Sequence, residues 1–354
     1  MAPATTGYPE PTLWQKLDVL PALGSLLASA ASALLTGWRR GPDAEPSLYL
    51  HVVYAAVRKL VVRLSTPQQQ QQAKAFNLPQ RTVELDHGAK GHWIGDAGAK
   101  HVLVWYHGGG FNLPALSGHL AYFIKLVQAR PGNDLAVFFL TYTLAPTATY
   151  PTQLRQAVQA LRHVVHETRR RPAHVVLGGD SAGGNLVCAV LSHLAHRHDD
   201  VDELPLSEPL GAAVMMAPWT ALRRGAVQLS PRGGADILDP PALEYWAANY
   251  TGSRAPDYYT DPSTAPPDWF RGLPVRSVLV LAGQNEILLP TIDAFVKTLE
   301  AGYGPVEFYV AEREAHIAPF VNLTFYHGAP TGQGTKLQSW LDERVASGND
   351  TPHL

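Results

Sequence analysis

The pattern of hydrophobic and polar positions changes near residue 81. Beyond it, short runs rich in β-branched or aromatic residues alternate with segments of helical spacing. Continuous apolar strands separated by helices are typical of a parallel sheet that is covered on both faces. The predicted strands are Arg81–Leu85, Val102–Tyr106, Leu135–Tyr142, Val175–Gly178, Gly211–Met216, Val278–Ala282 and Val306–Val310, and the main helices are Gln153–Arg169, Asn185–His196 and Thr291–Ala301.

The first 75 residues or so follow a helical pattern instead. Apolar residues from Leu48 to Leu64 recur at three- and four-residue spacing, and the run Gln68–Gln72 predicts an exposed connector. A stretch rich in Pro, Gly, Asp and aromatic residues predicts an irregular insertion later in the chain. We therefore expect a helical cap segment at 1–75, a core formed by 76–219 and 271–348, and an irregular cap insertion at 220–270.

The stretch from Leu20 to Leu35 is rich in Leu, Ala and Ser, and Arg39 and Arg40 follow it. It is shorter than a confident membrane span, and no basic region with a small-residue cleavage site precedes it as in a secretory signal. Two interpretations stay open: a helix in peripheral contact with a membrane, and a helix that covers the functional site. The second is favoured.

Composition limits the class of protein. Of 354 residues, 46% are hydrophobic and 16% charged, the net charge is −2, and the basic residues are scattered, so nucleic acid is not an expected partner. The run Arg169–Arg171 is interpreted as a solvated helix end. Cys188 is the single cysteine, which excludes an intramolecular disulfide and favours a reducing compartment, the cytoplasm. Its thiol is predicted to be buried. Membrane association or a lumenal location stays open, given N-x-S/T sequons at Asn249, Asn322 and Asn349.

A six-residue motif, Gly179-Asp180-Ser181-Ala182-Gly183-Gly184, directly follows the apolar run that ends at Leu177. A G-x-S-x-G sequence between a strand and a helix forms a nucleophile elbow, a tight turn that presents the serine hydroxyl over the sheet edge. Ser181 is therefore a candidate nucleophile, provided that a base removes its proton.

A second motif, His107-Gly108-Gly109-Gly110-Phe111, ends the strand-like run Val102–Tyr106. Glycines let several backbone N–H groups converge on one point. Such a segment supplies an oxyanion hole together with the N–H of the residue after the nucleophile, here Ala182. A glycine-rich turn without this role is the alternative, and the elbow downstream argues against it.

The expected partners follow in the order serine, acid, histidine. His316, in the loop after the last predicted strand, is the favoured base, and His327 is the alternative. Three more histidines, expected to be solvated, end the helix after the elbow, and no carboxylate or cysteine completes a metal site there: His193, His196 and His198.

The loop after Val278–Ala282 contains one carboxylate, Glu286, which is the favoured acid. In the alternative, Glu286 is an exposed carboxylate that caps the next helix. Asp293 or an aspartate of the cap then takes its role.

These motifs resemble the hormone-sensitive lipase family of α/β-hydrolases over about residues 80–345. The segment Tyr142-Thr143-Leu144-Ala145-Pro146, followed by Tyr150-Pro151, adds a third match. The resemblance implies an α/β-hydrolase fold, with a mostly parallel central sheet, helices on both faces and a helical cap. It also implies roles: Ser181 as nucleophile, His316 as base, Glu286 as acid, Gly109, Gly110 and Ala182 as oxyanion donors, and His107, Gly108 and Asp180 as supports.

Two departures bear on the substrate. Glu286-Ile287-Leu288-Leu289-Pro290 lacks the second aspartate that many members have, and His316-Ile317-Ala318-Pro319 replaces their H-G-F. Such divergence resembles fungal members, including steryl acetyl hydrolases and tailoring hydrolases of secondary metabolism.

The expected activity is that of a serine esterase that uses no cofactor or metal and cleaves small esters with short-to-medium acyl groups on apolar alcohols. Two other functions stay open: a catalytically inactive ligand-binding protein, and a biosynthetic enzyme that uses the site for amide hydrolysis, cyclisation or elimination. Candidates for an aromatic lid are Tyr8, Trp14, Trp246, Tyr250, Tyr258, Tyr259 and Trp269.

Overall fold

A computed structural model describes residues 12–41, 43–63, 81–130, 132, 134–222, 230 and 235–346. Within these ranges, one eight-stranded sheet forms the centre of the molecule. Its strands are β1 (Thr82–Glu84), β2 (Lys90–Ile94), β3 (His101–Tyr106), β4 (Leu135–Thr141), β5 (Val175–Asp180), β6 (Ala212–Met216), β7 (Val278–Gly283) and β8 (Glu307–Ala311).

The strand order is β1-β2-β4-β3-β5-β6-β7-β8. β1 and β2 pair antiparallel, and β2 pairs antiparallel with β4, whereas every other pair in the sheet is parallel. The strands β3, β5, β6 and β7 are buried along their whole length, which explains their continuous apolar sequences. The predicted α/β fold with a mostly parallel sheet is confirmed.

One strand was not predicted from the sequence. β2 reads Lys-Gly-His-Trp-Ile and lacks an apolar run. It is buried because Gly91 lies against the ring of Phe138, in space that a side chain would need, and Trp93 packs on the same ring at 4.8 Å. The strand is therefore defined by its partner on β4 more than by its own pattern.

The helices alternate with the strands as the pattern predicted. Their bounds are α1 (Leu13–Leu17), α2 (Val19–Thr36), α3 (Leu48–Arg63), α4 (Ser117–Gln128), α5 (Thr152–Arg162), α6 (Ala182–Ala195), α7 (Pro240–Thr251), α8 (Leu289–Tyr303), α9 (Ala318–Thr324) and α10 (Gly332–Ala346). The expected connector Gln68–Gln72 lies outside the described residues.

Two local expectations were wrong. Helix α5 continues as a single π-helical turn and ends at Glu167, so the arginines lie beyond the helix. Arg170 donates to the carbonyls of Ala97 and Ala99, while Arg171 pairs with Glu208 at 3.0 Å. The arginines therefore do not form the end of the helix, although Arg169 and Arg171 are exposed to solvent as expected.

The insertion is also more regular than expected, since it contains α7. Pro240 opens this helix, where a missing N–H is tolerated. Leu243, Trp246 and Tyr250 recur at helical spacing and are buried. The Pro- and Asp-rich composition predicted an irregular segment, so this helical periodicity was not recognised from the sequence.

Candidate active site

The predicted nucleophile lies in a strained turn between β5 and α6. Ser181 has φ 53° and ψ −116°, and its backbone N–H donates to the carbonyl of Met216 at 2.9 Å. A non-glycine residue adopts positive φ at an energetic cost that the surrounding structure must sustain. Gly183 packs so closely on the carbonyl of Tyr106 that a side chain would overlap it. The turn holds Ser181 at the carboxyl end of the sheet, as expected for an elbow.

The glycine loop after β3 lines the same cavity as Ser181. Gly108, Gly109 and Gly110 all contribute to its wall. Gly109 and Gly110 have φ of 112° and 58°, values that favour glycine, and Asn112 Nδ2 donates to the carbonyl of Gly110 at 2.6 Å. Ala182, the third predicted oxyanion donor, is buried and begins α6 directly after Ser181.

Asp180 joins the elbow to this glycine loop. Its carboxylate accepts hydrogen bonds from the Gly108 N–H at 3.0 Å and from Trp105 Nε1 at 2.9 Å. His119 Nε2 lies 3.0 and 3.1 Å from the two carboxylate oxygens. Burial opposes ionisation of Asp180, but His119 and Trp105 outweigh it and lower the pKa of that carboxyl.

His119 was not singled out from the sequence. It lies on α4, is buried, and also lines the cavity. Its separation from Asp180 by 61 positions leaves no local signal of the pairing. The one signal in the sequence was the position of this histidine on an apolar helix that follows the glycine motif.

His107 has a supporting position. Its ring stacks on Tyr142, with ring centroids 4.3 Å apart, and Tyr142 Oη donates to the His107 carbonyl at 2.8 Å. Burial lowers the pKa of His107 to about 4, so the ring is neutral near pH 7. His107 therefore packs beneath the loop as an uncharged side chain.

The predicted base and acid are paired. His316 Nδ1 lies 3.0 Å from Glu286 Oε2, and both side chains are buried, with exposed fractions of 2% and 0%. Glu286 is in the loop after β7 and His316 in the loop after β8, so parallel strands bring them to one edge of the sheet. The alternative residues lie elsewhere: Asp293 pairs with Lys297 at 2.6 Å, and His327 stacks on Tyr49.

His316 and Ser181 line the same cavity. The hydrogen bonds found among the described residues include none from Ser181 Oγ to His316. Such catalytic hydrogen bonds are often long in proteins without substrate and tighten in the complex. Burial lowers the pKa of His316 and raises that of Glu286, and both shifts keep the resting imidazole neutral.

A second buried carboxylate contacts both of these loops, and it was not identified from the sequence. Asp236 is fully buried, and its Oδ1 accepts the backbone N–H of His316 at 3.0 Å. Its Oδ2 accepts the N–H of Ile287 at 2.7 Å. Asp236 is thus an aspartate of the insertion, as one alternative had it, but it contacts the His316 backbone and not the ring.

The cavity has a volume of about 450 Å³ and a mostly apolar wall. Helix α3 contributes Val57, Leu60 and Val61, and the insertion contributes Ile237, Leu238 and Trp246. No described residue of α2 is part of the wall, so the expectation that Leu20–Leu35 covers the site was wrong. Of the N-terminal helices that the structure describes, α3 is the one that contributes to the wall.

The predicted aromatic lid is also largely wrong. Of its members, only Trp246 lines the cavity within the described part of the chain. Tyr250 stacks on Phe111, with centroids 3.6 Å apart, beneath the loop, and Trp14 is exposed. Tyr258 and Tyr259 pack around Trp269, which stacks on His196, and Tyr8 lies outside the described residues.

The histidines after the elbow are not solvated as expected. His193 and His198 are buried, and His198 Nε2 lies 2.8 Å from Tyr150 Oη. Among the described side chains, no group of three or more potential metal ligands occurs. Cys188 is buried as predicted, and burial raises the pKa of its thiol to about 12.

With the site in view, comparison with known proteins identifies the family. The Abhydrolase_3 profile, described as the alpha/beta hydrolase fold, matches residues 103–319, more than half of the chain. The chain belongs to this α/β-hydrolase family. This membership confirms the predicted hydrolase resemblance, whereas the fungal subtype stays a prediction.

Two curated relatives of this α/β-hydrolase are carboxylesterases of Mycobacterium tuberculosis. Carboxylesterase NlhH is 31% identical over 171 residues, covering 47% of this chain and 50% of the relative. Carboxylesterase/phospholipase LipF is 31% identical over 194 residues, covering 52% of this chain and 48% of the relative. The chain therefore matches about half the length of these relatives.

Solved structures extend the likeness in fold. The esterase EstE5 soaked with p-nitrophenyl butyrate has a TM-score of 0.65 at 22% identity and covers 87% of this chain and 100% of its own. An esterase of the bacterial hormone-sensitive lipase family has a TM-score of 0.65 at 24% identity, with 85% and 98% covered. At these identities the agreement concerns the fold.

Proposed function

We propose that this α/β-hydrolase is a serine carboxylesterase that works through an acyl-enzyme. The observation that carries the proposal is the apolar cavity into which both Ser181 and His316 face, with Glu286 3.0 Å behind the imidazole. The names of the mycobacterial relatives, carboxylesterases in both cases, support the same reaction class.

In the proposed mechanism, neutral His316 takes the proton of the Ser181 hydroxyl as the oxygen attacks the ester carbonyl. Glu286 holds the Nδ1–H tautomer, so that Nε2 faces the serine, and stabilises the imidazolium that forms. The alcohol then leaves with the proton from His316. Water, activated by the same imidazole, hydrolyses the acyl-enzyme and restores the serine.

The negative charge on the carbonyl oxygen needs donors that are already in place. We assign this role to the backbone N–H groups of Gly109, Gly110 and Ala182, because the glycine loop and the elbow meet at Ser181. Losing one such donor typically raises the barrier by about 3–4 kcal/mol. Asp180 keeps the two segments together through Gly108. The mechanism uses no metal or cofactor.

The substrate proposed is a small uncharged ester with an apolar acyl or alcohol group. A wall built from valine, leucine, isoleucine and tryptophan desolvates such groups at low cost and rejects charged ones. We also propose that helix α3 and the segment 235–270 together form the cap, because both contribute side chains to this wall.

The proposed compartment is the cytoplasm. Two sequons that argued for the lumen have their asparagines engaged: Asn322 is buried and accepts from Tyr54 Oη at 2.5 Å, and Asn249 Nδ2 donates to Asn112 at 2.7 Å. Both asparagines are thus occupied within the fold. The third sequon, at Asn349, lies outside the described residues.

The inactive-receptor alternative is disfavoured, because His316 and Glu286 are both present and paired. The other alternative, a biosynthetic reaction at the same site, would use the same side chains. The experiment below distinguishes it from ester hydrolysis.

The test is hydrolysis of p-nitrophenyl esters from acetate to decanoate by wild type and Ser181→Ala. Ser117→Ala, which removes another hydroxyl of the cavity wall, is the matched control. The proposal expects turnover that is lost in the first variant and kept in the second. It also expects a fluorophosphonate to label wild type on the Ser181 peptide. Turnover that persists in Ser181→Ala would contradict a serine nucleophile and favour acid–base chemistry by His316.

A further inference from the structure

Helix α2 has an inverted distribution of side chains. Its buried positions are small residues, with Ala22 and Ala33 exposed by 0% and 7%. Its leucines face outward, with Leu20, Leu27 and Leu35 exposed by 77%, 71% and 74%. A surface helix in water shows the opposite arrangement, with its large apolar residues toward the core. The outward face also includes Leu23 and Leu34, and we call it the leucine face. Its composition is that of a surface which another molecule covers.

The length and the ends of α2 indicate what covers it. Residues Leu20–Arg39 have a mean hydropathy of 1.5, and the sequence from Leu20 to Trp38 has no Asp, Glu, Lys or Arg. Twenty helical residues extend about 30 Å, a long apolar strip for a soluble surface. Trp14, on the preceding helix α1, and Trp38, directly after α2, are exposed by 80% and 76%. Tryptophans that flank an apolar helix are typical of a membrane–water interface.

Charge points to the same partner. Between residues 19 and 63 the sequence has five basic residues and two acidic ones. The basic residues are Arg39, Arg40, Arg58, Lys59 and Arg63, and the acidic ones are Asp43 and Glu45. Arg39 and Lys59 are exposed, whereas Arg58 lies near Asp236 and Asp239 of the insertion and Arg40 donates to the carbonyls of Gly37 and Glu45. Basic residues beside an apolar helix face bind anionic lipid headgroups, by about 1 kcal/mol each near the surface. Two copies of the same basic region repel each other, which disfavours a dimer through this face.

The packing of α2 favours a helix that lies on a bilayer over one that crosses it. Its inward face contacts α3, where Ser29 Oγ donates to the carbonyl of Ala55 at 3.0 Å and Gly37 lies against Leu48. These contacts make the two helices antiparallel. A helix that crossed the membrane would lose them and uncover α3.

The antiparallel pairing of α2 and α3 places one end of α2 near the cavity. Because Ser29 lies beside Ala55 and the helices run in opposite directions, the Leu20 end of α2 lies toward the end of α3 that carries Leu60 and Val61. Those two residues are part of the cavity wall.

We propose that the leucine face of α2 docks on an anionic lipid bilayer, parallel to its surface. Docking places α2 against the lipid, with α3 packed on its inner side and the cavity behind α3. The further consequence, that apolar esters reach the cavity from the bilayer, rests on the proposed function, whereas docking itself does not.

The test is flotation of the full chain with phosphatidylcholine vesicles that contain or lack phosphatidylserine. The variant is Leu20→Gln/Leu27→Gln/Leu35→Gln. The control is Ile124→Gln/Tyr245→Gln, which changes apolar residues that are exposed elsewhere. We expect wild type and the control to float with phosphatidylserine vesicles and the triple variant to bind about 100-fold more weakly, equal to about 2.8 kcal/mol.

Other outcomes overturn the proposal. Wild type that binds neither vesicle contradicts docking. A dimer in light scattering that the triple variant disperses means that a second copy covers the leucine face. Binding that resists both high salt and alkaline carbonate means that α2 spans the bilayer.

Hydrolysis of soluble p-nitrophenyl butyrate, measured on the same samples, keeps the two proposals separate. The triple variant is expected to retain it, which also shows that the variant is folded. If wild type and variant both lack it, the esterase proposal fails, while flotation still decides whether the face docks.

Discussion

The carboxylate of Asp236 accepts the backbone N–H of His316 at 3.0 Å, across 80 positions of sequence. The same carboxylate holds the N–H of Ile287, next to Glu286. One buried aspartate of the insertion therefore fixes both loops that carry the proposed acid and base. It is a positioning residue, since its contacts are with the backbones of these loops.

Replacing Asp236 by Asn tests this relationship. The negative charge of Asp236 raises the pKa of His316 against the effect of burial, so its removal should move the acid limb of kcat/KM to lower pH. The lost hydrogen bond should also reduce kcat about tenfold, in line with the 1–3 kcal/mol that a buried polar group costs when a partner is lost. The pH dependence of p-nitrophenyl butyrate hydrolysis measures both effects.

Asp239→Asn is the matched control, because Asp239 precedes α7 in the same segment. An acid limb that stays in place in Asp236→Asn, with kcat unchanged, would show that the carboxylate has no part in positioning His316.

The wild-type pH profile should have an unusually acidic lower limb. A base works only when deprotonated, so activity is present above its pKa and falls as the pH drops through that value. Burial lowers the pKa of His316 from 6.5, and the midpoint of the limb should therefore lie below pH 6.5. Rates of p-nitrophenyl butyrate hydrolysis between pH 4 and 8 locate it. A midpoint above 6.5 would mean that the charges of Asp236 and Asp180 outweigh burial.

Glu286→Gln should reduce kcat about a thousandfold or more, with KM nearly unchanged. The amide cannot stabilise the imidazolium and favours the wrong tautomer of His316. Steady-state kinetics on the purified variant give both constants. Asp293→Asn, which removes an exposed carboxylate on α8, is the control. A comparable loss in the control, or none in Glu286→Gln, would remove Glu286 from the proposed triad.

The residues that the sequence identified share one property: each is defined by its neighbours along the chain. The elbow at Ser181 and the glycine loop at His107–Phe111 depend on tight local turns, and short motifs encode such turns. Glu286 and His316 could be proposed because chain order and strand ends restrict where an acid and a base can lie. Local pattern and topology were sufficient for the fold and for these candidates.

The residues that the sequence missed are defined by contacts between distant segments. Asp236 and His119 are single polar residues whose partners lie 80 and 61 positions away. No periodicity in the sequence indicates such pairs. The direction of the leucines on α2 is a similar case. An apolar helix pattern does not state which side packs on the protein, and here Ala22 and Ala33 are buried while most of the leucines are exposed.

His119→Asn tests the second of these contacts. Asp180 would lose its donor at 3.0 Å, and the glycine loop that Asp180 holds through Gly108 should lose its alignment. We expect kcat to fall about tenfold or more, with a smaller change in KM, because the loop is proposed to act on the oxyanion rather than on the ground state. His327→Asn is a control outside the cavity. A variant that changed only KM would assign His119 to substrate binding instead.

Trp246 should limit the length of the acyl chain that the cavity accepts. Its ring lies against Gly110, so closely that a side chain on the glycine would overlap it, and it is the one member of the predicted aromatic set that lines the described cavity. Trp246→Leu enlarges the space beside the glycine loop without adding a polar group, and the optimum of the p-nitrophenyl ester series should move to longer chains. Trp269→Leu removes a tryptophan of the same set that packs on His196, away from the cavity, and should leave the optimum in place. An equal shift in both variants would indicate general loosening of the fold, whereas a shift in Trp246→Leu alone would make this ring a determinant of specificity.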